Sequence, residues 1–568
     1  MSDEIEFPFI CFDTEDDSRE CAARVRAGVK GASMFDKRVT QIAAIAANGR
    51  QWYSGSGDVK AFLKWLKVQP EIYVYSLNMQ YDLGNLFGHE LDELDVTLVG
   101  SRMIKAVWGK VKFVDVYNIW FMSVKDLGDK FGLKKGELNE YSKEYVFRDV
   151  EIIREAMLFI WRKVRELGLE YVPATAGSLG VMLWRLWGGE TVPESNEICR
   201  DAIFGGRVEI FKTCNNSFKQ WLAGRPITTK NNEIYPNLPE DIAYTDINSL
   251  YPSQMMKAFP GHLEDTGKKM KEFGIVQASV TVPNNQEIQV LPYRTDEGKI
   301  LYGYGKFTGV WTVAELLQAE RDGATIDKVH TCYTTDESIY PYRTYVDRVY
   351  KFRLASESVP EKEFWKRMMN TLYGRTGTMG NIWRTVYQTE NNKTSGVPYG
   401  CRVLCEYQMP LGEEVNWSHT AYITSYGRLE LLKYMRIIGA ENMIYCDTDS
   451  CIFDAPGQVL PFECSKELGK MKFESWEQIA IPYAPKMYQL GGKFKAKGVP
   501  KKLQQEYIEQ GVAHFDLPYK FKEAVKFFDR GNKKRLSVWR EIEKQNRANY
   551  DKKILKDGRY FPCKITED

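Results

Sequence analysis

An apolar, strand-like run that ends in two carboxylates constrains this chain more than any other feature. The run leads into Tyr445-Cys446-Asp447-Thr448-Asp449-Ser450. Side chains of an extended chain alternate between two faces, so Asp447 and Asp449 point the same way. Such close carboxylates repel each other unless a cation lies between them, and Mg²⁺ at such a site usually also holds substrate phosphates. A solvated turn is the alternative, so the hypothesis depends on a second acidic segment.

Two further segments accompany this one. About 200 residues upstream, Asp246 follows a short strand-like run in Tyr244-Thr245-Asp246-Ile247-Asn248-Ser249-Leu250-Tyr251-Pro252. Between them, a helix is predicted whose face carries Lys362, Lys366, Asn370 and Tyr373. Gly374 is predicted to end this helix. A lysine on that face can meet a triphosphate as a point charge.

The N-terminal region contains a second group of carboxylates. Asp13 and Glu15 share one face at the end of an apolar strand, Phe9 to Glu15. Asp82 follows Asn78 and Tyr81 after a predicted strand at 72–75. Farther along, Tyr145 and Asp149 lie one helical turn apart.

In this order and at these separations, the segments resemble the motifs of family B DNA polymerases. The resemblance implies that Asp246 and Asp449 hold two metal ions at a polymerase site, with Asp447 close by. It implies that Tyr251 packs under the sugar and excludes a 2′-hydroxyl. The incoming nucleotide would meet Lys366, Asn370, Tyr373 and Lys486. The expected cofactor is Mg²⁺, two ions per active site, with Mn²⁺ as a substitute.

The N-terminal motifs resemble the proofreading 3′→5′ exonuclease of the same family. The resemblance implies a second two-metal site formed by Asp13, Glu15, Asp82 and Asp149. Tyr145 would orient the attacking water, and Lys135, in Lys135-Gly136-Glu137-Leu138, would be a further catalytic residue. Asn78 and Tyr81 would grip the single-stranded primer end, Tyr81 by stacking on a base.

The spacing resembles one branch of the family, the protein-primed DNA polymerases of bacteriophages and linear plasmids. About 120 residues separate Asp246 from Lys366, and about 70 separate Gly374 from Asp447. These gaps match the two insertions that mark the branch. The chain has 568 residues, whereas replicative family B enzymes of cells are usually much longer and carry an extra N-terminal domain.

The same resemblance implies DNA contacts outside the catalytic groups. Gly205 and Gly206 correspond to a linker that couples polymerising and degrading modes, and further contacts are expected from Thr424, Arg428 and Tyr488. At three positions the chain departs from the family pattern, with Asp16 for Thr, Val116 for Ser and Ile203 for Tyr. The sequence leaves the effect of these departures open.

Charge is distributed unevenly along the chain. The net formal charge is +2, but residues 484–568 carry 21 Lys and Arg against 11 Asp and Glu. Lys495 and Lys497 alternate with apolar residues, as in a strand along a phosphate backbone, although solvated edge strands also carry Lys. We therefore expect this part to bind DNA.

Location and partners follow from composition and the resemblance together. The 11 cysteines include no C-x-x-C pair, and there is neither an 18-residue apolar run nor a signal peptide. These features indicate a protein of the reducing cytoplasm, the host's if viral, without a membrane. Expected partners are template and primer DNA, dNTPs and a terminal protein that supplies the priming hydroxyl, and a monomer is expected.

The predicted fold class is α/β and α+β multidomain, with an N-terminal ribonuclease H-like 3′-5′ exonuclease domain followed by a right-hand polymerase with two insertions. The predicted parts are the exonuclease (1–187), first part of the palm (188–257), first insertion (258–345), fingers (346–378), second insertion with a hairpin (379–413), second part of the palm (414–520) and thumb (521–568).

Three alternatives stay open beside a protein-primed DNA polymerase with proofreading and strand displacement. A primer-dependent family B polymerase would use no protein primer, and the absence of a neighbouring terminal-protein gene would favour it. A nucleic-acid-binding module with inactive sites is disfavoured because all seven predicted catalytic carboxylates are present. An RNA-copying enzyme is disfavoured by the exonuclease motifs and by Tyr251.

Overall fold

The computed structural model describes residues 7–30, 38–88, 90–135, 142–223, 238–387, 396–518, 520–527, 539–545 and 550–566. The predicted hairpin turn at 390–396 lies outside the described residues except for Gly396. The part of the Lys135 signature at 136–138 also lies outside them.

The N-terminal part is an α/β domain built on a mixed sheet. Its strands are β1 (Phe9–Asp16), β2 (Val39–Ala46), β3 (Gln51–Ser54), β4 (Tyr73–Ser76), β5 (Asp95–Val99), β6 (Arg102–Trp108) and β7 (Val111–Asp115). Its helices are α1 (Ser18–Arg26), α2 (Val59–Val68), α3 (Met79–Phe87), α4 (Tyr117–Trp120), α5 (Val124–Phe131), α6 (Lys143–Glu166) and α7 (Ala176–Leu186). Strand β1 pairs antiparallel with β2 and parallel with β4, and α6 packs its apolar face against this sheet.

The next segment contains two palm strands and the first insertion. Its elements are α8 (Glu197–Asp201), β8 (Val208–Ile210), α9 (Asn216–Ala223), β9 (Ile242–Ile247), α10 (Leu250–Gln254), β10 (Phe259–Pro260), β11 (Glu264–Asp265), β12 (Phe273–Val282), β13 (Tyr293–Arg294), β14 (Ile300–Leu301), β15 (Gly305–Thr312), α11 (Val313–Arg321), β16 (Thr325–Thr335) and β17 (Ser338–Ile339). In the insertion, β11, β16, β12 and β15 form a sheet that shares a core with α11. The predicted strand at 275–282 and helix at 312–321 are confirmed as β12 and α11.

The fingers segment consists of two helices, α12 (Arg343–Ala355) and α13 (Val359–Thr376). The prediction that Gly374 ends the second helix is wrong, because the helix continues to Thr376 and Gly377 follows as its cap. Tertiary contacts hold this last turn in place. Arg375 Nη2 donates to Glu414 Oε1 at 2.7 Å, and the backbone N–H of Asn416 donates to the Thr376 carbonyl at 2.9 Å.

The predicted hairpin near 383–407 is confirmed. Strand β18 (Asn381–Tyr387) pairs antiparallel with β20 (Arg402–Gln408), and β19 (Val397–Tyr399) adds to the edge of β20. On its other side β18 pairs with β5, so the hairpin and the N-terminal domain share one ten-stranded sheet. A side-chain hydrogen bond adds to the β18–β5 pairing, because Thr385 Oγ1 accepts from the Val96 N–H at 2.7 Å.

The remaining segment completes the palm and contains the C-terminal elements. They are α14 (Trp417–Ile438), β21 (Met443–Asp447), β22 (Ser450–Asp454), β23 (Met471–Glu477), β24 (Ala480–Ala484), β25 (Met487–Leu490), β26 (Lys493–Ala496), α15 (Gln504–Gln510), β27 (Val512–Pro518), α16 (Phe521–Ala524), β28 (Trp539–Gln545), β29 (Lys553–Lys556) and β30 (Arg559–Pro562). The palm sheet has the antiparallel order β23-β9-β22-β21-β8. Within the described ranges, every helix is too short or too polar to cross a bilayer.

Candidate active sites

Three N-terminal carboxylates meet beside the sheet of the N-terminal domain. The alternation of β1 places Asp13 and Glu15 on one face, and α6 brings Asp149 to it. One carboxylate oxygen from each lies within 4.8 Å of the others. Burial and the neighbouring carboxylates raise the pKa of Asp13 well above its ordinary value, and burial with Asp149 raises the pKa of Glu15 to about 7. Such mutual repulsion fits a site for divalent cations.

Asp82, the fourth predicted carboxylate, is held by two hydroxyl side chains. Asp82 Oδ1 accepts from the Thr14 N–H at 3.1 Å and from Thr14 Oγ1 at 2.7 Å, and Oδ2 accepts from Ser76 Oγ at 2.9 Å. Burial raises the pKa of Asp82 to about 7 even though these bonds lower it. Sequence reasoning missed Thr14 and Ser76, although the alternation of β1 places Thr14 on the face opposite Asp13.

Lys135 and Tyr145 lie at this cluster. Lys135 Nζ is 2.6 Å from Asp149 Oδ2 and 3.9 Å from the centre of the Tyr145 ring. The ammonium therefore partly neutralises Asp149 and stands beside the tyrosine that was predicted to orient water.

The two residues predicted to grip a single strand lie at the start of α3. Asn78 has a left-handed backbone (φ 67°), and its N–H donates to Asp115 Oδ1 at 3.0 Å. Burial and the Asp16 carboxylate raise the pKa of Tyr81. The departure at position 16 thus places a carboxylate beside the hydroxyl of Tyr81, and its charge also helps to raise the pKa of Glu15.

The palm sheet brings the second acidic group together. Asp246 on β9 is paired in register with Ser450, which in turn pairs with Asp447. The N–H of Ile247 donates to the Asp449 carbonyl at 2.7 Å, which fixes the turn against β9. Burial and nearby Glu474 raise the pKa of Asp246 to about 6, and burial and Asp246 raise that of Asp449 to about 7. Like the N-terminal cluster, this pair fits a divalent cation.

Asp447 differs from the other two because cationic and hydroxyl partners surround it. Lys486 Nζ lies 2.5 Å from Asp447 Oδ1, and Thr448 Oγ1 donates to the same atom at 3.1 Å. The Tyr445 hydroxyl donates to Oδ2 at 3.3 Å. Lys486, predicted to contact the nucleotide, therefore pairs with Asp447, a carboxylate of this acidic group.

The turn between the two carboxylates is strained and tightly packed. Thr448 has φ 64°, an outlier for a β-branched residue, and its N–H donates to the Arg207 carbonyl at 2.7 Å. A Cβ at Gly206 would lie 2.5 Å from Thr448 Oγ1, so only glycine permits this approach. Asn78, Ser249 and Lys486 also have positive φ and lie at or next to the motifs of the two acidic groups, whereas Phe121, Gln458 and Asp557 have positive φ elsewhere.

The fingers helix faces the palm carboxylates. Lys362, Lys366 and Asn370 are exposed on one face of α13, as predicted, and Lys366 is among the charges that lower the pKa of Asp246. The Tyr373 and Tyr251 ring centres are 4.7 Å apart. A Cβ at Gly427 of α14 would lie 3.1 Å from the Tyr251 ring, which shows how closely this helix backs the tyrosine.

Three residues predicted to contact DNA are buried. Thr424 is 5% exposed and donates to carbonyls of its own helix. Arg428 is 3% exposed, and its guanidinium donates to Glu315 and to the Phe204 carbonyl. Tyr488 is 8% exposed, with its ring centre 5.3 Å from that of Tyr445. Protein atoms enclose these three side chains in this structure, and a direct contact of Thr424, Arg428 and Tyr488 with DNA stays a prediction.

The other predicted DNA residues are accessible. Lys495 and Lys497 are exposed at the end of β26, and Lys495 is also among the charges that lower the pKa of Asp246. Gly205 lies in the linker, where its carbonyl accepts from Arg428. Sequence reasoning missed Glu474, an acid of β23 beside Asp246 whose partner Lys472 Nζ lies 2.7 Å away. No sequence motif around Glu474 indicates that its strand, β23, pairs with β9 and brings the carboxylate close to Asp246.

The comparisons with known proteins agree with this arrangement. A family model described as "DNA polymerase type B, organellar and viral" matches residues 230–397. The family B resemblance is confirmed. Proteins named "Probable DNA polymerase" are 30% identical in Ascobolus immersus and 28% identical in Podospora anserina, over 46% and 43% of this chain. These alignments cover only 23% and 24% of those proteins, so the chain spans about a quarter of the curated relatives it matches.

Solved structures of Phi29 DNA polymerase share the fold. The complex with primer-template DNA matches with a TM-score of 0.68 at 16% identity, over 94% of this chain and 99% of that one. The complex with primer-template DNA and incoming nucleotides matches with a TM-score of 0.67 at 15% identity, over 95% and 100%. The predicted fold class, with an N-terminal α/β domain followed by a right-hand fold, is confirmed.

Proposed function

We propose that this chain is a DNA-directed DNA polymerase that also removes nucleotides from the primer 3′ end. The observation that carries the proposal is the meeting of Asp246, Asp447 and Asp449 on adjacent palm strands, opposite the Tyr251–Tyr373 pair of palm and fingers. The Phi29 complexes with primer-template DNA and incoming nucleotides support this assignment of substrates. We further propose that it acts as a monomer in the cytoplasm of a host cell.

In the proposed reaction, each side chain has a task that its surroundings explain. Asp246 and Asp449 would hold Mg²⁺, which supplies charge neutralisation for the phosphates and activates the attacking 3′ oxygen. Lys486 holds Asp447 in place, and the exposed Lys366 offers a cation toward the triphosphate. The sugar and the new base pair would pack against the rings of Tyr251 and Tyr373.

The N-terminal site is proposed to degrade a frayed 3′ end. Asp13, Glu15 and Asp149 would hold the same kind of cation, and Thr14 and Ser76 keep Asp82 oriented beside them. Tyr145 would position the water, with Lys135 restraining both Tyr145 and Asp149. Tyr81 would stack on the terminal base.

A reciprocal pair of variants tests the two assignments. Asp449→Asn is expected to abolish primer extension and to leave degradation of single strands unchanged. Asp13→Ala combined with Glu15→Ala is expected to do the opposite, because the two acidic groups lie in separate domains. Each variant is the matched folding control for the other. Extension by Asp449→Asn near the wild-type rate would refute the polymerase assignment, and persistent degradation by the double variant would refute the exonuclease assignment.

We also propose that a terminal protein supplies the first hydroxyl and that the enzyme displaces the non-template strand. The support is the folded insertion between Asp246 and the fingers, together with the second insertion that forms the β18–β20 hairpin. The second candidate is a primer-dependent polymerase. Incubating the enzyme with labelled dNTPs and the product of a neighbouring gene distinguishes them. A labelled nucleotide bound covalently to that protein supports protein priming, and its absence with active enzyme favours the alternative.

A further inference from the structure

Arg428 connects the palm helix α14 to the linker that precedes β8. Its side chain is buried, and its Nη1 donates to the carbonyls of Phe204 and Gly205 at 2.8 and 3.1 Å. Its Nε donates to Glu315 Oε1 at 2.9 Å. A guanidinium with three fixed acceptors has one orientation, so the linker backbone is held at a defined place relative to α14.

Glu315 comes from the first insertion rather than from the palm. It lies in the first turn of α11 and is fully buried. Thr312, the N-cap of this helix, accepts from the Glu315 N–H at 3.3 Å and donates to Ser425 Oγ at 3.1 Å. Ser425 and Arg428 share one face of α14, so the start of α11 is docked there through two adjacent polar contacts.

The linker in turn supports the turn that carries Asp447 and Asp449. Gly206 lies directly against the Thr448 side chain, and the Arg207 carbonyl accepts the Thr448 N–H at 2.7 Å. Thr448 is held at φ 64°, a conformation that needs support from its surroundings. A continuous series of contacts therefore runs from Glu315 through Arg428 and Gly205–Gly206 to Thr448.

We propose that Glu315 and Arg428 are positioning residues for the catalytic turn, so that the first insertion sets the geometry of the polymerase carboxylates. This inference rests on the proposed polymerase function. It gives the insertion a task inside the active site, in addition to any partner it docks. Removing the carboxylate would leave the Arg428 charge buried with its main partner gone, which is strongly unfavourable. The linker would then shift, and Thr448 with it.

Glu315→Gln is the decisive variant, and Asp322→Asn is its matched control. Asp322, at the other end of α11, also pairs with an arginine of α14, because Arg436 Nη1 and Nη2 donate to it at 2.9 and 2.6 Å. That pair docks the same two helices without touching the linker. We expect Glu315→Gln to lower kcat for nucleotide addition by about 10- to 100-fold, since small misplacements of reacting groups cost this much. Asp322→Asn is expected to keep the wild-type kcat.

Two further measurements separate positioning from DNA contact. The Kd for primer-template DNA, measured by fluorescence anisotropy, should be the same for Glu315→Gln and wild type. Mn²⁺ binding, measured by electron paramagnetic resonance with Asp13→Ala and Glu15→Ala present throughout, should weaken by roughly tenfold or more in Glu315→Gln, as for other residues that orient metal ligands. If wild type adds no nucleotide, the proposed function fails, and the Mn²⁺ measurement still decides the positioning role.

Three results would overturn the inference. The first is a kcat and a Mn²⁺ affinity of Glu315→Gln that equal those of wild type. The second is a decrease in kcat of Asp322→Asn as large as that of Glu315→Gln. The third is a decrease in nucleotide addition by Glu315→Gln that a weaker Kd for DNA explains entirely. If Glu315→Gln does not fold, Gly206→Ala tests the next contact in the series. It should lower kcat and Mn²⁺ affinity, and adding Thr448→Gly should restore both in part, because that change removes the atoms a Cβ at position 206 would meet. If Thr448→Gly restores neither kcat nor Mn²⁺ affinity, the loss in Gly206→Ala does not arise from its contact with Thr448.

Discussion

Phe521→Ala should shorten the DNA products of this enzyme without impairing its chemistry. Phe521 begins α16, is 3% exposed and packs edge-on against Tyr399 of the hairpin with ring centres 6.1 Å apart. Next to it, Lys522 Nζ lies 3.4 Å from the centre of the Trp383 ring. The segment after the palm thus closes onto the hairpin, which is itself paired with the exonuclease sheet. We propose that this closed arrangement surrounds the DNA.

The magnitude follows from the burial of the ring. Truncation of a buried Phe to Ala costs about 3–5 kcal/mol. The predicted catalytic carboxylates lie on other elements, so this loss acts on closure of the segment onto the hairpin. It raises the open population by about 10²- to 4 × 10³-fold, because every 1.4 kcal/mol is a factor of ten. Lys522→Ala removes only a cation–π interaction of about 0.5–1 kcal/mol and should open it less than tenfold.

The assay compares product length on a long duplex template and on a short gap, with excess unlabelled DNA so that each enzyme acts once. Phe521→Ala should give much shorter long-template products, Lys522→Ala slightly shorter ones, and both should fill the gap and degrade single strands at wild-type rates. Wild-type product length for Phe521→Ala would show that the packing of Phe521 on the hairpin does not retain DNA. Equal losses on both templates would indicate misfolding.

Three further outcomes follow from the described side-chain surroundings. Tyr251→Val should raise the ratio of ribo- to deoxynucleotide incorporation, because the ring beside Tyr373 is removed; an unchanged ratio would make Tyr251 a packing residue. Lys495→Ala with Lys497→Ala should reduce the salt dependence of DNA binding by roughly one unit of slope for each phosphate that is no longer neutralised, and an unchanged slope would place them off the DNA. Burial lowers the pKa of His419 to about 4, so acid favours the unfolded chain, which binds the extra proton. Up to about 3 kcal/mol of stability should disappear between about pH 6.5 and pH 4, and His419→Gln should flatten this part of the thermal-unfolding profile.

Local sequence patterns are sufficient for the parts of both sites that lie on single elements. Two carboxylates two residues apart on a strand must share a face, which is why Asp13 with Glu15 can be grouped without coordinates. The polar face of α13 is predictable for the same reason, since helical spacing fixes which side chains are neighbours. The hairpin is predictable because a turn-forming cluster separates two strand-like runs.

Features that depend on contacts between distant segments are not predictable in this way. A glycine after an apolar helical run usually marks the end of the helix. Helix α13 nevertheless continues past Gly374, because Glu414 and Asn416, which follow the hairpin in sequence, form hydrogen bonds with its last turn. The pairing of β18 with β5 joins residues almost 300 positions apart, and neither strand carries a signal for it.

Motif resemblance also predicts which residues matter better than it predicts how they act. The resemblance assigns Arg428 to DNA, whereas its contacts in the structure support the proposed role beside the turn that carries Asp447 and Asp449. Its charge, however, is matched by Glu315 from a segment that the motif does not include. A buried arginine needs a buried carboxylate, and no short motif can show where that carboxylate comes from. An insertion between Asp246 and the fingers can therefore be part of the active-site framework, and deleting it whole should remove nucleotide addition together with any docking role, whereas Asp322→Asn should leave addition intact.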